Sequence, residues 1–210
     1  MHKSGIRFTG SIIVLQLVGI LFFTTALPAR PTASQFISRV GEQAIVQLPA
    51  SDARAGFRKL IAAHFDVNGI AQRVFADVWA EASPGQRTEA VALYARWVED
   101  GLMNLLGPHA RRAGGVQFKV LRESVSGNTT IVYSRIQSGQ EQVAVQWSVR
   151  PVGAGWLITN LQTPDGGDLI QNHREEFRMI REMAPASAGD VGIEYIIEEL
   201  RIRTAPLPAN

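Results

Sequence analysis

The sequence predicts an α+β protein in which helices from both ends of the chain pack on one face of a four-stranded antiparallel sheet. Apolar residues recur at helical spacing up to about residue 106, alternate with polar residues between 116 and 161, and then return to helical spacing. Short turns join the four alternating segments, which favours an antiparallel meander. Because such a sheet buries one face and exposes the other, the helices are expected on a single face.

Three helices are predicted before residue 81. The first spans 35–48 and ends at Pro49, and the second begins at Ser51-Asp52. The third spans 70–80 and follows a joint at 66–69. Their apolar positions repeat every three or four residues, which predicts one buried stripe on each helix. These positions are Phe36, Val40, Ala44, Ile45 and Leu48, then Phe57, Leu60, Ile61 and Phe65, then Val74, Phe75, Val78 and Trp79.

A capping box predicts the start of the fourth helix. Ser83 is placed for the N-cap, Pro84 for the first helical position and Gln86 for the third. We expect the helix to run to about Leu106 and to stop at Gly107-Pro108. Its apolar arc is wide, which is typical of a helix enclosed by other elements. The arc consists of Ala90, Val91, Leu93, Tyr94, Trp97, Val98, Leu102, Met103 and Leu105.

The four strands are predicted from alternation of apolar and polar residues. They cover 116–120, 129–137, 142–150 and 156–161. The third strand has the clearest pattern, with Val143, Val145, Trp147 and Val149 on one face. A corner rich in Pro and Gly at 164–167 ends the last strand. Asp168 is placed to cap a helix at 168–183, and a final helix spans 190–203.

The N-terminus has the pattern of a signal peptide. A positive start with Lys3 and Arg7 is followed by an apolar run at 12–23 and small residues at 24–29. The apolar run is shorter than the ~20 residues that span a bilayer. We expect cleavage after Ala29, with an uncleaved anchor as the alternative. The predicted organisation is a signal peptide at 1–29, one domain at 30–205 and a flexible tail at 206–210.

Composition excludes several function classes. The chain has 21 basic and 19 acidic residues, and loss of Lys3 and Arg7 with the signal peptide would leave 19 of each. Nucleic acid is therefore not a predicted partner. The chain has no cysteine, which excludes disulfides, thiolate metal sites and cysteine nucleophiles. No HExxH or GxSxG pattern is present, so no metal, cofactor or catalytic residue is predicted.

Two long segments and one short segment resemble a known family. They are FRKLIAAHFDVNGIAQRVFADVWAEASPGQRTEAVALYARWV, GWLITNLQTPDGGDLIQNHREEFRMI and GIEYIIEEL, between residues 57 and 200. They resemble the toluene-tolerance family of ABC-transporter auxiliary proteins, the MlaC-like periplasmic lipid shuttles. The matching positions are Asp66, Ile70, Ala71, Trp79, Pro84, Gln86, Arg87, Trp156, Leu169, Arg174 and Phe177.

The resemblance implies a curved sheet wrapped by helices around an apolar cavity that holds lipid acyl chains. It also implies a periplasmic protein that exchanges phospholipid with inner-membrane and outer-membrane transport complexes. Some relatives accompany hopanoid biosynthesis, so a hopanoid-type lipid is the second expected cargo. Apolar side chains from the helices and the sheet are expected to line the cavity: Phe65, Val74, Trp79, Tyr94, Trp97, Val98, Leu102, Phe118, Tyr133, Val145, Trp147, Val149 and Ile158.

Two alternative interpretations remain, a structural domain with a filled core and an enzyme. Curved sheets wrapped by helices also form cone-shaped folds that host isomerases for hydrophobic substrates. Such a site needs a carboxylate or a tyrosine projecting into the pocket. The candidates are Tyr94, Tyr133 and Asp66.

Overall fold

The computed structural model describes residues 30–50, 52–110, 115–164, 167–185 and 192–205. The predicted signal peptide at 1–29 and the predicted tail at 206–210 lie outside these ranges. The described elements are α1 (Ala33–Gln47), α2 (Ala53–His64), α3 (Val67–Val74), α4 (Ala76–Trp79), α5 (Pro84–Ala110), β1 (Val116–Ser126), β2 (Thr129–Ser138), β3 (Glu141–Val152), β4 (Gly155–Gln162), α6 (Leu169–Glu182) and α7 (Ile193–Arg203). This order confirms the predicted sequence of helices, strands and helices.

The four strands form one antiparallel meander in the order β1-β2-β3-β4. Each of the three hairpin turns contains a glycine at positive φ. These glycines are Gly127, Gly139 and Gly153. Residues with a side chain adopt this backbone conformation only with strain. The pairing of β1 with β2 shifts register at Leu121, and the pairing of β3 with β4 shifts register at Thr159, so β1 and β4 each carry one extra residue. Such bulges bend a strand and increase its twist, which accounts for the curvature of the sheet.

One face of the sheet is buried under helices. Val132 pairs with Trp147, and Val149 pairs with Ile158, so these four side chains share the inner face. Helix α1 packs on β1 and β2, and α3 and α6 pack on β4. Helix α5 lies behind them, against α2, α3 and α7. The predicted α+β architecture with a curved antiparallel sheet is therefore confirmed.

Three aromatic rings form the centre of the helical layer. Phe75 lies edge-on to Tyr94 at 5.5 Å and to Phe177 at 5.1 Å between ring centroids. All three side chains are almost completely buried. Edge-to-face aromatic pairs at this spacing contribute about 0.5–1.5 kcal/mol each beyond their buried area. The cluster therefore fixes α3, α5 and α6 against one another.

Two helix ends are confirmed in atomic detail. The Ser83 N–H donates to Gln86 Oε1 at 2.9 Å, and the Gln86 N–H donates to Ser83 Oγ at 3.3 Å, which completes the predicted capping box. At α6, Asp168 accepts a bond from the Gln171 N–H at 3.0 Å. Both caps satisfy N–H groups that the first helical turn leaves free.

Three features of the predicted helices were wrong, two in the third helix and one in the fourth. The third helix is not continuous over 70–80, because the backbone leaves helical geometry at Phe75, whose side chain packs in the aromatic cluster. Its start lies earlier, since Asp66 accepts a bond from the Gly69 N–H and so caps α3 at the predicted joint. Helix α5 also continues through Pro108 to Ala110. A proline removes one backbone donor, and a long helix can absorb that loss near its end.

None of the helices in the described ranges is both long and apolar enough to cross a bilayer.

The contact between α1 and β1 gives a first test. A methyl group added at Gly41 would overlap the ring of Phe118, whereas one added at Gly101 in α5 would meet no atom within 4 Å. We expect Gly41→Ala to lower the free energy of unfolding by about 1–2 kcal/mol, because overpacking costs more than the improved helix propensity offsets. We expect the control Gly101→Ala to raise it by about 0.5–1 kcal/mol. Urea unfolding measures both, and equal effects of the two changes would contradict this close approach.

Candidate functional site

An apolar cavity of about 310 Å³ lies between the inner face of the sheet, helix α6 and the middle of α5. Its walls combine apolar side chains from the sheet and the helices with polar groups from β2, β3, β4 and α6. The lining residues are Leu102, Ile136, Ser138, Glu141, Val143, Val145, Trp147, Leu161, Thr163, Gly167, Leu169, Asn172 and His173. Apolar surface predominates, so the cavity is suited to hydrocarbon.

The indole N–H of Trp147, the largest side chain in the cavity wall, has a hydrogen-bond partner within the sheet. The Trp147 indole N–H donates to Ser134 Oγ at 2.7 Å, and Ser134 is itself buried. A buried indole N–H normally finds such a partner, because an unpaired donor is costly. Trp147 can therefore present apolar ring surface to the cavity without leaving a donor unpaired.

Among the residues that line the cavity, His173 has a strongly shifted pKa. Its Nδ1 lies 2.8 Å from the Tyr94 hydroxyl, and the Trp97 ring lies 4.3 Å from its ring centroid. Burial lowers the pKa of His173 to about 4 and raises the pKa of Tyr94, so the imidazole is neutral and the phenol is protonated at pH 7. One hydrogen bond therefore joins the Tyr94 hydroxyl to Nδ1 of the neutral imidazole.

The junction of β4 and α6 holds one wall of the cavity in place. The Asp168 carboxylate accepts bonds from Asn160 Nδ2 at 2.8 Å and from Gln162 Nε2 at 2.7 Å, in addition to its capping bond. Burial opposes ionisation of Asp168, but these bonds outweigh that effect and lower its pKa. The start of α6 is thus tied to the end of the last strand.

The volume of the cavity limits what it can hold in this conformation. At about 310 Å³ the cavity is at the small end of the ~300–1,000 Å³ range of small-molecule pockets. The aromatic cluster of Phe75, Tyr94 and Phe177 occupies the neighbouring interior. A larger ligand therefore requires the walls to separate or a second volume next to the cavity.

A second apolar volume lies on the other side of the interior. We call it the α2–α5 groove; it measures about 510 Å³ and is partly open to solvent. Its lining residues are Arg58, Ile61, Ala62, Phe65, Asp66, Val67, Asn68, Val91, Ala92, Ala95, Arg96, Glu99 and Leu157. A void of about 10 Å³ lies between the groove and the cavity, lined by Ile61, Phe65, Val67, Ile70, Tyr94, Val98 and Leu169.

Six of the thirteen residues predicted to line a cavity surround these spaces. Three of them line the cavity, namely Leu102, Val145 and Trp147. Three line the small void, namely Phe65, Tyr94 and Val98, and Phe65 also reaches the groove. The sheet and α5 thus place three of the predicted residues at the cavity and three at the small void.

The other seven residues lie elsewhere. Val74, Val149 and Ile158 are buried in the packed core. Trp97 packs on His173 and Phe177. Phe118 lies beneath α1 with its ring 6.0 Å from that of Trp147.

The last two of these seven residues, Trp79 and Tyr133, lie at the protein surface. Trp79 lies under the guanidinium of Arg87, 5.7 Å from its ring centroid. Tyr133 pairs with Arg122 on the face of the sheet opposite Val132, and the Arg122 guanidinium stacks on its ring at 3.4 Å. Both arrangements are cation–π contacts at the protein surface.

The three candidates for an enzymatic acid or base are not brought to one site. Tyr133 lies on the outer face of the sheet. The Asp66 carboxylate pairs with Arg150 at 3.0 Å and borders the α2–α5 groove. Tyr94 bonds to His173. Within the described ranges, no group of three or more His, Cys, Asp or Glu residues could hold a metal ion.

Several wall residues were not predicted. Leu161 lies opposite Trp147 in the β3–β4 ladder, and Leu169 opens α6 directly after its cap. Only the strand register and the packing of α6 show that these two side chains meet at the cavity. The bond of His173 to Tyr94 depends on how α5 and α6 pack.

Comparison with known proteins gives two matches. A family model described as MlaC protein matches residues 32–201. Among solved structures, the phospholipid-binding protein from Ralstonia solanacearum, solved in complex with a phospholipid, superposes with a TM-score of 0.64. The two share 16% identity, and the match covers 83% of this chain and 98% of that chain. No curated protein sequence matches the chain. At this identity the structural likeness shows a shared fold.

The low pKa of His173 gives a second test. The unfolded chain binds a proton at this residue below its ordinary pKa of 6.5, whereas the folded protein does so only near pH 4. The free energy of unfolding should therefore fall as pH falls from 6.5 to 4, by on the order of 3 kcal/mol at most from this group. We expect His173→Gln to remove this part of the slope in urea unfolding at several pH values. His64, whose pKa burial also lowers, stays in both proteins, and parallel curves for the two would contradict the assignment.

Proposed function

We propose that this chain, which belongs to the MlaC protein family, binds phospholipid acyl chains in its apolar cavity and carries the lipid between membranes. The observation that carries the proposal is the cavity between the sheet and α6, with its predominantly apolar wall. It occurs in a fold shared with a phospholipid-binding protein solved in complex with a phospholipid. The family match over residues 32–201 supports the same function.

The free energy of burying methylenes favours a carrier that binds without specific contacts along the acyl chain. Burial of one methylene contributes about 0.8 kcal/mol, so about ten methylenes would contribute on the order of 8 kcal/mol. A bilayer gives the same methylenes nearly the same free energy. A carrier therefore needs only to match the membrane, and a smooth wall such as Val143, Val145 and Leu161 meets that requirement.

A complete two-chain lipid requires movement of the walls. The inner side of α6 is held by the Tyr94–His173 bond to α5 and by Phe177 in the aromatic cluster, whereas its outer side is held more weakly. Its outer surface is joined to neighbours by exposed ion pairs, such as Arg174 with Asp77 and Arg203 with Glu176. Exposed pairs of this kind contribute about 0–1 kcal/mol each. We infer that α6 moves away from the sheet when lipid enters, while its N-terminus stays tied through Asp168.

The predicted signal peptide at 1–29 supports a periplasmic location for the chain. We propose that loading and release occur at transport complexes in the inner and outer membranes. A hopanoid-type lipid is the second candidate cargo, since an apolar wall accepts a rigid polycyclic skeleton as well as a flexible chain.

Organic extraction of the purified protein, followed by mass spectrometry, tests the proposal. We expect phospholipid at about one molecule per chain, because the wall is built for hydrocarbon rather than for water. Recovery of hopanoid-type lipid instead would keep the cavity as the site and change the cargo. Absence of lipid, together with no uptake from phospholipid vesicles, would contradict the proposed function.

Adjacent residues of β3 give a matched pair of variants. Val143 lines the cavity, whereas Ala144 is exposed on the opposite face of the same strand. We expect Val143→Trp to fill part of the cavity and displace about three methylenes, on the order of 2 kcal/mol, which lowers lipid affinity more than tenfold. We expect Ala144→Trp to leave affinity unchanged. Vesicle-uptake measurements on both variants check this, and equal affinities would place the lipid elsewhere.

A further inference from the structure

We infer that the outer face of the sheet docks the protein on the surface of an anionic phospholipid bilayer. Three cations make the contact, namely Lys119, Arg122 and Arg135, which we call the basic sheet face. All three side chains are exposed. The inference rests on the proposed function and goes further, because it assigns the surface that meets the membrane and not the site that holds the lipid.

The strands separate their charges between the two faces of the sheet. Lys119 pairs directly with Arg135, and Arg122 follows on the same face beyond the bulge of β1. The strands contain two acidic residues, Glu123 and Glu141, and both pair with buried residues of the inner face. Within the described strands, the outer face therefore carries cations and no carboxylate.

The three cations have no carboxylate partner in the part of the chain that the structure describes. Arg150, a fourth basic residue of the sheet, differs from them because it pairs with Asp66 at 3.0 Å. Lys119 and Arg135 instead lie opposite each other on adjacent strands. Like charges in this position destabilise a sheet. An anion bound over the pair would remove that repulsion.

The pair of Lys119 and Arg135 lies at the same end of the sheet as the cavity. Ile136 follows Arg135 in β2, pairs with Val143 of β3 and lines the cavity together with it. The β2–β3 hairpin thus carries cavity wall on its inner face and a cation on its outer face. A bilayer that contacts the basic sheet face therefore lies beside the cavity and not beside the densely packed end of the sheet.

The composition of the outer face favours a bilayer over a protein partner. Protein interfaces are enriched in aromatic residues and depleted of lysine. Tyr133, the aromatic residue that β2 places on this face, is covered by the Arg122 guanidinium at 3.4 Å from its ring centroid. The bulged residue Leu121, next to Arg122, is 47% exposed. Cations beside an exposed apolar side chain match a layer of anionic headgroups above acyl chains.

The expected attachment is weak, because the chain as a whole has no excess of positive charge. Of its 21 basic residues, 19 remain after loss of Lys3 and Arg7, and these equal the 19 acidic residues. Attraction to an anionic surface therefore depends on where the cations lie. Each basic residue close to such a surface tightens binding about fivefold, so three give on the order of a hundredfold. Reversible binding of this kind suits a carrier that leaves the membrane.

Co-sedimentation with phospholipid vesicles tests the inference. One set of vesicles consists of phosphatidylcholine, and the other contains equal parts of phosphatidylcholine and phosphatidylglycerol. The test variant is the double substitution Lys119→Gln with Arg135→Gln. The control is Arg39→Gln with Lys59→Gln, which removes the same charge from exposed positions on α1 and α2.

We expect wild type and control to bind the anionic vesicles alike, and the test variant to bind them at least tenfold more weakly. Added salt should weaken the binding of wild type, because it screens exposed charges. The test variant should also unfold at a higher temperature than wild type, since it relieves the repulsion between two like charges. Weaker binding together with higher stability would distinguish a lost contact from a damaged fold.

Two results would overturn the inference. Equal binding of anionic vesicles by the test variant and the control would show that the basic sheet face does not contact the bilayer. Equal binding of both sets of vesicles by wild type would show that these cations serve another partner, such as an acidic protein surface. Absence of extractable lipid from a protein that binds anionic vesicles would instead contradict the proposed function, and it would leave the docking surface supported.

Discussion

The bond between Tyr94 and His173 is the interaction on which the rest of the interior depends. It joins α5 to α6 at 2.8 Å and lies beside the edge-to-face contacts of Phe75 with Tyr94 and Phe177. Because these rings occupy the centre of the helical layer, the cavity at the sheet and the α2–α5 groove lie on different sides of them.

This arrangement reconciles a stable core with a function that needs space. A protein interior packed at normal density leaves few voids larger than a water molecule, and each void lowers stability. Here the sheet, bent by bulges in β1 and β4, leaves a cavity between its inner face and α6. The remaining contacts of the core are dense, with Val132, Val149 and Ile158 completely buried. The densely packed core and the cavity thus lie against different parts of the same sheet.

Local signals in the sequence predicted most of the fold but only part of the site. The capping box at Ser83 and the alternation around Trp147 depend on neighbouring residues, and both are found in the structure. The break at Phe75 depends on packing against α5 and α6, which no local pattern encodes. The position of Tyr133 depends on register, since its pairing with Gln146 sets it on the outer face. Cavity and core positions are alike in residue type, so sequence alone does not separate them.

We propose that acyl chains contact the inner face of the sheet at the cavity. Quenching of Trp147 fluorescence by phospholipids with brominated acyl chains measures this contact, in a protein whose other tryptophans, Trp79, Trp97 and Trp156, are replaced by Phe. Because Trp147 lines the cavity, we expect strong quenching that unbrominated lipid reverses. Binding of the brominated lipid without quenching of Trp147 would contradict it.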